Sequence, residues 1–351
     1  MAQKTYAIPA MGAGHFEMMG AISSAGAMRL DVPEGILNIG GNGKGYVLAP
    51  RVDWDPTALG NHDGSLDGLA MGDDVYLYAT QGADGRAGLV ASKNITVPGG
   101  WTAETSRRIG GFHYGRVRPL AQRYVAAYVP VVQMVPNSVW DLRHRPTCDP
   151  TGMAEVKPGL WADIYLASVV SGAWPSVILG SIYGVQPVRD TGYNRVDLME
   201  MLQASGKREP SYSEWILGAH GAPAGVDANN DTAWAMTTNT GPTTTGAVVK
   251  SVSCANLVDT VGNLYEQLNH HYDIGDYGGA ASTFVWDPAA VNTGMDSALA
   301  RGFVHHVRWH SALAGGYYLD GRYCGSRSLY ANSPPWYSYG TVGFRGFCES
   351  I

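Results

Sequence analysis

Residues 315–348 read GGYYLDGRYCGSRSLYANSPPWYSYGTVGFRGFC. The segment carries Tyr317, Tyr318, Tyr323, Tyr330, Trp336, Tyr337 and Tyr339, interleaved with Gly, Ser, Asn and Asp. Turn residues this frequent support short strands and loops loaded with aromatic rings. Tyr with small polar residues is the composition of a binding surface. Rigid amphipathic rings give contact area at low entropy cost, and Ser, Gly and Asn adapt their hydrogen bonds. A Tyr-rich core edge or a subunit interface has the same composition, and composition alone does not choose among them.

The rest of the chain has the same texture. Of 351 residues, 46 are Gly, 20 Tyr and 10 Trp, against 6 Phe. Charged residues make up 15%, where about 25% is usual. The formal charge of -6, with no basic run, argues against a nucleic-acid surface. No apolar stretch reaches the roughly 18 residues of a membrane span. The opening residues, MAQKTYAIPAMGAGHFEMM, lack a basic region followed by an apolar core and do not read as a signal peptide. Aromatic content excludes disorder, and the vocabulary of long helices is scarce. The expected fold class is α+β, mostly β and loop.

Strand-like runs occupy 46–52, 74–79, 89–97 and 109–114, separated by turn signals at 82–86 (GADGR) and 98–100 (PGG). This spacing predicts a small β-sandwich-like domain over 46–135, preceded by a segment, 1–45, without a clear period. From residue 136 the texture changes. Strands are expected at 140–145 and 160–168. A helix is expected at 195–205, stopped by Gly206, and another after the capping box Ser211-x-x-Glu214; 257–268 reads as a third. Residues 218–250 read as long loops. Trp140, Trp161 and Trp215 lie in apolar runs and are expected in the core.

Catalytic and metal motifs mostly fail. GNGKG at 41–45 lacks the first Gly and the Ser/Thr of a phosphate loop and reads as a turn. Asp227, Asn229 and Asp231 begin like a calcium loop, but Thr232 and Thr238 replace its Gly and Glu. His306 and His310 have no third ligand in a known pattern. No metal and no cofactor is predicted. Cys148, Cys254, Cys324 and Cys348 form no C-x-x-C pair. Cys324 and Cys348 are candidates to meet across the C-terminus, with free buried cysteines as the alternative.

The C-terminal segment resembles the variable region of diversity-generating-retroelement proteins of the phage tropism-determinant family, receptor-binding proteins with a C-type-lectin fold. The shared frame is Gly315-Gly316, Gly325-Ser326-Arg327, Asn332-Ser333-Pro334-Pro335 and Gly343-Phe344-Arg345-Gly346-Phe347-Cys348. The likeness extends through blocks at 105–114 (TSRRIGGFHY), 138–167 and 193–218. Residues 1–45 lie outside it.

The resemblance implies a C-type-lectin-like (formylglycine-generating-enzyme-like) domain at 136–351, with its variable-type region at 315–348, and a role in fibre attachment or trimerisation for 1–45. It also implies receptor-facing positions: Tyr317, Leu319, Asp320, Gly321, Tyr323, Tyr330, Asn332, Ser333, Tyr337, Tyr339, Thr341 and Val342. In that family, template adenines are mutated, often in Asn codons, and every one of these positions holds a residue reachable that way. Arg327 and Arg345 read as internal supports for loop carbonyls.

The implied protein is a non-enzymatic homotrimer at the tail-fibre tip of a virion, made in the host cytoplasm. Its partners are other tail-fibre proteins and a bacterial surface receptor, protein or glycan. The E-P-N, Q-P-D and W-N-D triplets of calcium-dependent sugar sites are absent. The alternatives are a structural tail-fibre or baseplate component, or a formylglycine-generating-type oxidase. For the latter, the closely spaced cysteines that hold copper are not evident.

Overall fold

The computed structural model describes residues 11–123, 125–173, 176–272, 304–306, 310–333 and 338–351. The chain divides into two units: Met1–Gly115 with Val132–Arg145 and Ile351, and Arg116–Val131 with Pro146–Ser350. The architecture is mostly β, with two α-helices among the described residues.

In the first unit, strands β1 (Phe16–Met18), β2 (Ser23–Gly26), β3 (Arg29–Val32), β4 (Gly35–Asn38), β5 (Gly45–Leu48) and β6 (Arg51–Trp54) are followed by β7 (Asp74–Gln81), β8 (Arg86–Ser92), β9 (Ser106–Val117), β10 (Val131–Met134) and β11 (Trp140–Asp141). The main sheet runs β1-β4-β5-β8-β7-β9-β10, with β11 also on β9; β2-β3-β6 forms a second sheet. Leu30, Val32 and Trp54 from the small sheet and Leu37, Leu48, Leu77 and Ile109 from the large one share one core. Turn chemistry sets the hairpins. In GADGR, Gly82 N donates to Arg86 O at 2.8 Å, and Asp84 accepts from Arg86 N. In the β4–β5 turn, Asn38 accepts from Gly41 N and donates to Lys44 O, so GNGKG is a turn.

The segment 1–45 was expected to stand apart. Its described strands instead complete the sheets of the first unit, and a boundary at 45 cuts the β4–β5 hairpin, whose register pairs Asn38 with Gly45. These strands are four residues or shorter, too short to display a period. The boundary at 135/136 also differs. Trp140 and Asp141 pair with Gly111 and Gly110 of β9. A Cβ at position 111 would come 2.9 Å from Trp140 Nε1, so only glycine admits that ring.

The second unit contains β12 (Met153–Lys157), β13 (Leu160–Asp163), β14 (Ala167–Ser171), β15 (Ile178–Ser181), α1 (Arg195–Ala204), α2 (Tyr212–Ala219), β16 (Tyr265–Tyr272), β17 (Val304–His306), β18 (His310–Ala314), β19 (Leu329–Ser333), β20 (Val342–Gly343) and β21 (Phe347–Glu349). The sheets run β17-β19-β18-β16-β20 and β12-β13-β21, with a β14–β15 hairpin. Both helices start with a capping box, on Asn194/Asp197 and Ser211/Glu214. Leu198, Met201 and Leu202 of α1 pack on Leu179 and Phe344. Trp215 and Ala219 of α2 pack on Leu268, Ala312 and Ala314. Trp140, Trp161 and Trp215 are all buried.

The expected third helix is absent. Asp259, Gly262 and Asn263 adopt positive φ, and a right-handed helix cannot accommodate such residues in its interior. Asn263 accepts from Thr243 N and donates to Thr243 O, tying this stretch to the long loops before it. Residue 265 then begins β16.

Candidate functional site

Two stretches of 315–348 form the candidate site: 315–333, and 338–342. Tyr265 of β16 joins them. Its ring stacks on Tyr317 at 5.0 Å and on Tyr330 at 5.2 Å between centroids, and Tyr318 meets Tyr317 edge-on at 4.9 Å. Tyr265, Leu313 and Val342 form the buried floor beneath Tyr317 and Tyr330. Asp320 accepts from the Tyr265 hydroxyl and from Tyr317 N. Burial pushes the Asp320 carboxyl up to about 6. Burial, with Asp320 second, lifts the Tyr317 phenol to about 12. The Tyr330 phenol is also raised by burial, and it hydrogen-bonds Asn332 and lies within electrostatic reach of Tyr339.

The backbone of these loops is held by groups from earlier in the chain. Asn239 donates to Tyr318 O at 2.9 Å, and Tyr212 donates its hydroxyl to Arg327 O at 2.7 Å. Gly321 N donates to Ala235 O, and Gly225 N to Cys324 O. Asp227 accepts from Arg322 N at 2.9 Å and pairs with the Arg322 guanidinium. That ion pair occupies the carboxylate that began the calcium-like motif. Among the described residues no group of three His, Cys, Asp or Glu is arranged to hold a metal ion.

The loop at 338–342 hangs on Asp190. Its carboxylate accepts from Tyr339 N at 2.8 Å and Val342 N at 3.1 Å, and its carbonyl accepts from the Ser338 hydroxyl. Shortly after the second loop comes Arg345, fully buried. It donates to Asp163 O, Ile164 O and Val258 O and forms a two-pronged pair with Glu266 at 2.9 Å. The carbonyl-bridging role expected of Arg345 is thereby found.

Tyr317, Asp320 and Tyr330 are brought together around Tyr265, and Asn332 and Tyr339 lie within reach of Tyr330. Tyr323 and Tyr339 are exposed, at 37% and 57%, while Leu319 and Thr341 are half-buried. Gly321, Ser333 and Val342 are buried and offer a receptor little or nothing. Gly321 has a φ of 55°, and a Cβ there would collide with Asp227 Oδ1. Tyr337 lies outside the described residues. Sequence reasoning missed Tyr265, Asp190 and Asn239. Tyr265 sat in the expected helix, and the other two carried no local signal.

Cys324 and Cys348 do not meet. The Cys324 thiol donates to Tyr317 O and is buried with Ala222, Ala233, Ala235 and Val261. Cys348 lies beside Cys148, 3.0 Å between sulfurs, and all four cysteines are free.

Comparison with known proteins places this geometry. Residues 20–141 match the model of the Mtd second domain. The tail fiber receptor-binding protein of Bordetella phage BPP-1 is 26% identical over 307 residues, which cover 82% of this chain and 74% of that protein. Among solved structures, the Major Tropism Determinant M1 variant aligns with a TM-score of 0.64 at 24% identity, covering 99% of this chain and 86% of that one. The U1 variant aligns with a TM-score of 0.63 at 25% identity over the same shares. The chain therefore carries an Mtd family domain, is a homologue of the Bordetella phage tail fiber receptor-binding protein, and shares the fold of the Major Tropism Determinant variants.

Proposed function

We propose that the chain is a phage tail-fibre receptor-binding protein, a non-enzymatic tropism determinant carried at the tip of the virion's tail fibre. The observation that carries this reading is the contrast within 315–348. Tyr323 and Tyr339 are exposed, while the backbone beside them is fixed by Asp190, Asp227, Asn239 and Tyr212. A surface that changes sequence needs a fold stabilised elsewhere, and this arrangement supplies that division. The receptor is a protein or glycan of the bacterial surface, met by aromatic contact.

On the same reading the second unit holds a C-type-lectin-like domain and the chain acts as a homotrimer. Several trimers on one particle would turn weak contacts into avidity. The N-terminal residues serve fibre attachment. The receptor-facing set is Tyr317, Leu319, Asp320, Tyr323, Tyr330, Asn332, Tyr337, Tyr339 and Thr341. A near-copy of the DNA encoding 317–348, beside a reverse transcriptase gene, would establish retroelement diversification.

The test is adsorption of particles carrying Tyr323→Ala and Tyr339→Ala together. Adsorption falling at least tenfold with intact fibres supports the reading. Unchanged adsorption with intact fibres overturns it and leaves a structural fibre component.

A further inference from the structure

Cys148 and Cys348 are 200 positions apart in sequence, yet their sulfurs lie 3.0 Å from each other. The backbone explains the meeting. Pro146 and Ser350 form an antiparallel bridge, and Thr147 N donates to Glu349 O at 2.9 Å. These contacts hold the two segments side by side immediately before Cys148 and after Cys348. With the sulfurs already in contact, the pair can close to a disulfide through small local adjustment.

The surroundings favour this pairing. Met153 Sδ lies 3.4 Å from Cys148 Sγ. A Cβ on Gly206 would stand 3.2 Å from Cys148 Cβ, so that side is closed as well. Cys348 is 2% exposed and Cys148 9%, so bulky oxidants are excluded. Cys254 and Cys324 have other neighbours, the carbonyls of Pro119 and Tyr317.

We propose that Cys148 and Cys348 are a redox site that closes to a disulfide in the folded protein and ties the C-terminal strand β21 to the segment leading into β12. The oxidant is of the peroxide class. Cys348 is taken as the attacking thiolate, because hydrogen bonds from Cys148 and Thr147 favour its charged form and lower it, while the same pairing raises Cys148. The Cys348 thiolate attacks one oxygen of hydrogen peroxide. The O–O bond breaks, hydroxide leaves, and Cys348 becomes a sulfenic acid. Cys148 sulfur then attacks Cys348 sulfur; the S–O bond breaks and the Cys148 proton leaves with the hydroxyl as water. Two thiols lose two electrons and one peroxide becomes two waters.

The bond acts on a weak point. β21 is only three residues long and is an end strand of its sheet. It begins two residues after Arg345, which joins Asp163, Ile164 and Val258 to Glu266. A link closing so long a loop restricts the unfolded chain strongly.

The test uses the full chain, purified reduced and then exposed to hydrogen peroxide. After denaturation with an alkylating agent, peptide mass mapping is expected to recover 148 joined to 348, with Cys254 and Cys324 alkylated. The melting temperature should rise by several degrees in the oxidised protein and return on reduction, and Cys348→Ser should show no rise. Mapping of the wild-type chain stands alone if that variant fails to fold. Recovery of Cys148 and Cys348 both alkylated after oxidation, or joined to other cysteines, overturns the proposal.

Discussion

The phenol of Tyr265 donates a hydrogen bond to the carboxylate of Asp320 and so joins a central strand to the loop that carries the candidate site. The same ring stacks on Tyr317 and Tyr330. One residue outside 315–348 therefore organises three inside it. A buried carboxylate with a donor tolerates its charge; without the donor it bears the full desolvation cost.

Tyr265→Phe keeps the stacking and removes the donor. The expected loss is about 1–3 kcal/mol, larger at pH 8, where Asp320 is ionised, than at pH 5. Urea unfolding at both values measures it. An equal loss at the two would show that the phenol does not act through Asp320.

The pH dependence follows from two raised carboxyls. Asp320 and Asp259 are each pushed up to about 6 by burial, and Asp259 Oδ1 is buried with no hydrogen-bond partner among the described residues. Their unfolded value is 3.8. Between 3.8 and about 6 the folded chain holds protons that the unfolded chain has lost. Their contribution is therefore full below the lower value, declines as pH rises, and is gone above the upper one. Asp259→Asn should leave stability nearly unchanged at pH 4 and raise it at pH 8, as read by melting temperature. A gain of the same size at both values would contradict a protonated Asp259.

Arg345 is a fully buried support paired with an equally buried carboxylate, Glu266. Arg345→Met strands the buried Glu266 carboxylate and several carbonyls, and breaking a buried pair from one side costs about 3–5 kcal/mol. Arg345→Lys keeps the charge but loses the two-pronged geometry and should recover only part of that stability. Denaturant midpoints of the two variants give the comparison. A lysine variant as stable as the parent would reduce Arg345 to a point charge.

Local chemistry made part of this legible in sequence. The capping boxes at Asn194 and Ser211 and the turns at GNGKG and GADGR each complete their hydrogen bonds within a few residues, so a short window contains the whole argument. The partners of Tyr265 and Asp190 lie tens to well over a hundred residues away, and no window contains them. Resemblance implied a receptor-facing role for twelve positions in 315–348, Ser333 and Gly321 among them. Strand alternation shows which way some of them face. In β19, Leu329, Ala331 and Ser333 are buried while Tyr330 and Asn332 are not, so a period of two already separates Ser333 from its neighbours. Gly321 turns inward for another reason, its positive φ against Asp227.

Asp190 gives the sharpest separation of binding from folding. Its carboxylate takes the amides of Tyr339 and Val342 from a buried position. Hydrogen bonds to a charged group contribute about 1.5–3 kcal/mol each. Asp190→Ala releases both amides and frees the backbone that aims Tyr339. Asp190→Asn keeps one acceptor oxygen and can hold one of them. Receptor binding should fall in the order parent, Asn, Ala, with far-UV circular dichroism unchanged, because the loop belongs to no helix and only to the end of the short strand β20. Adsorption of particles carrying each variant measures the order. Ala binding as tightly as the parent, with the spectrum intact, would show that Tyr339 is aimed by something other than Asp190.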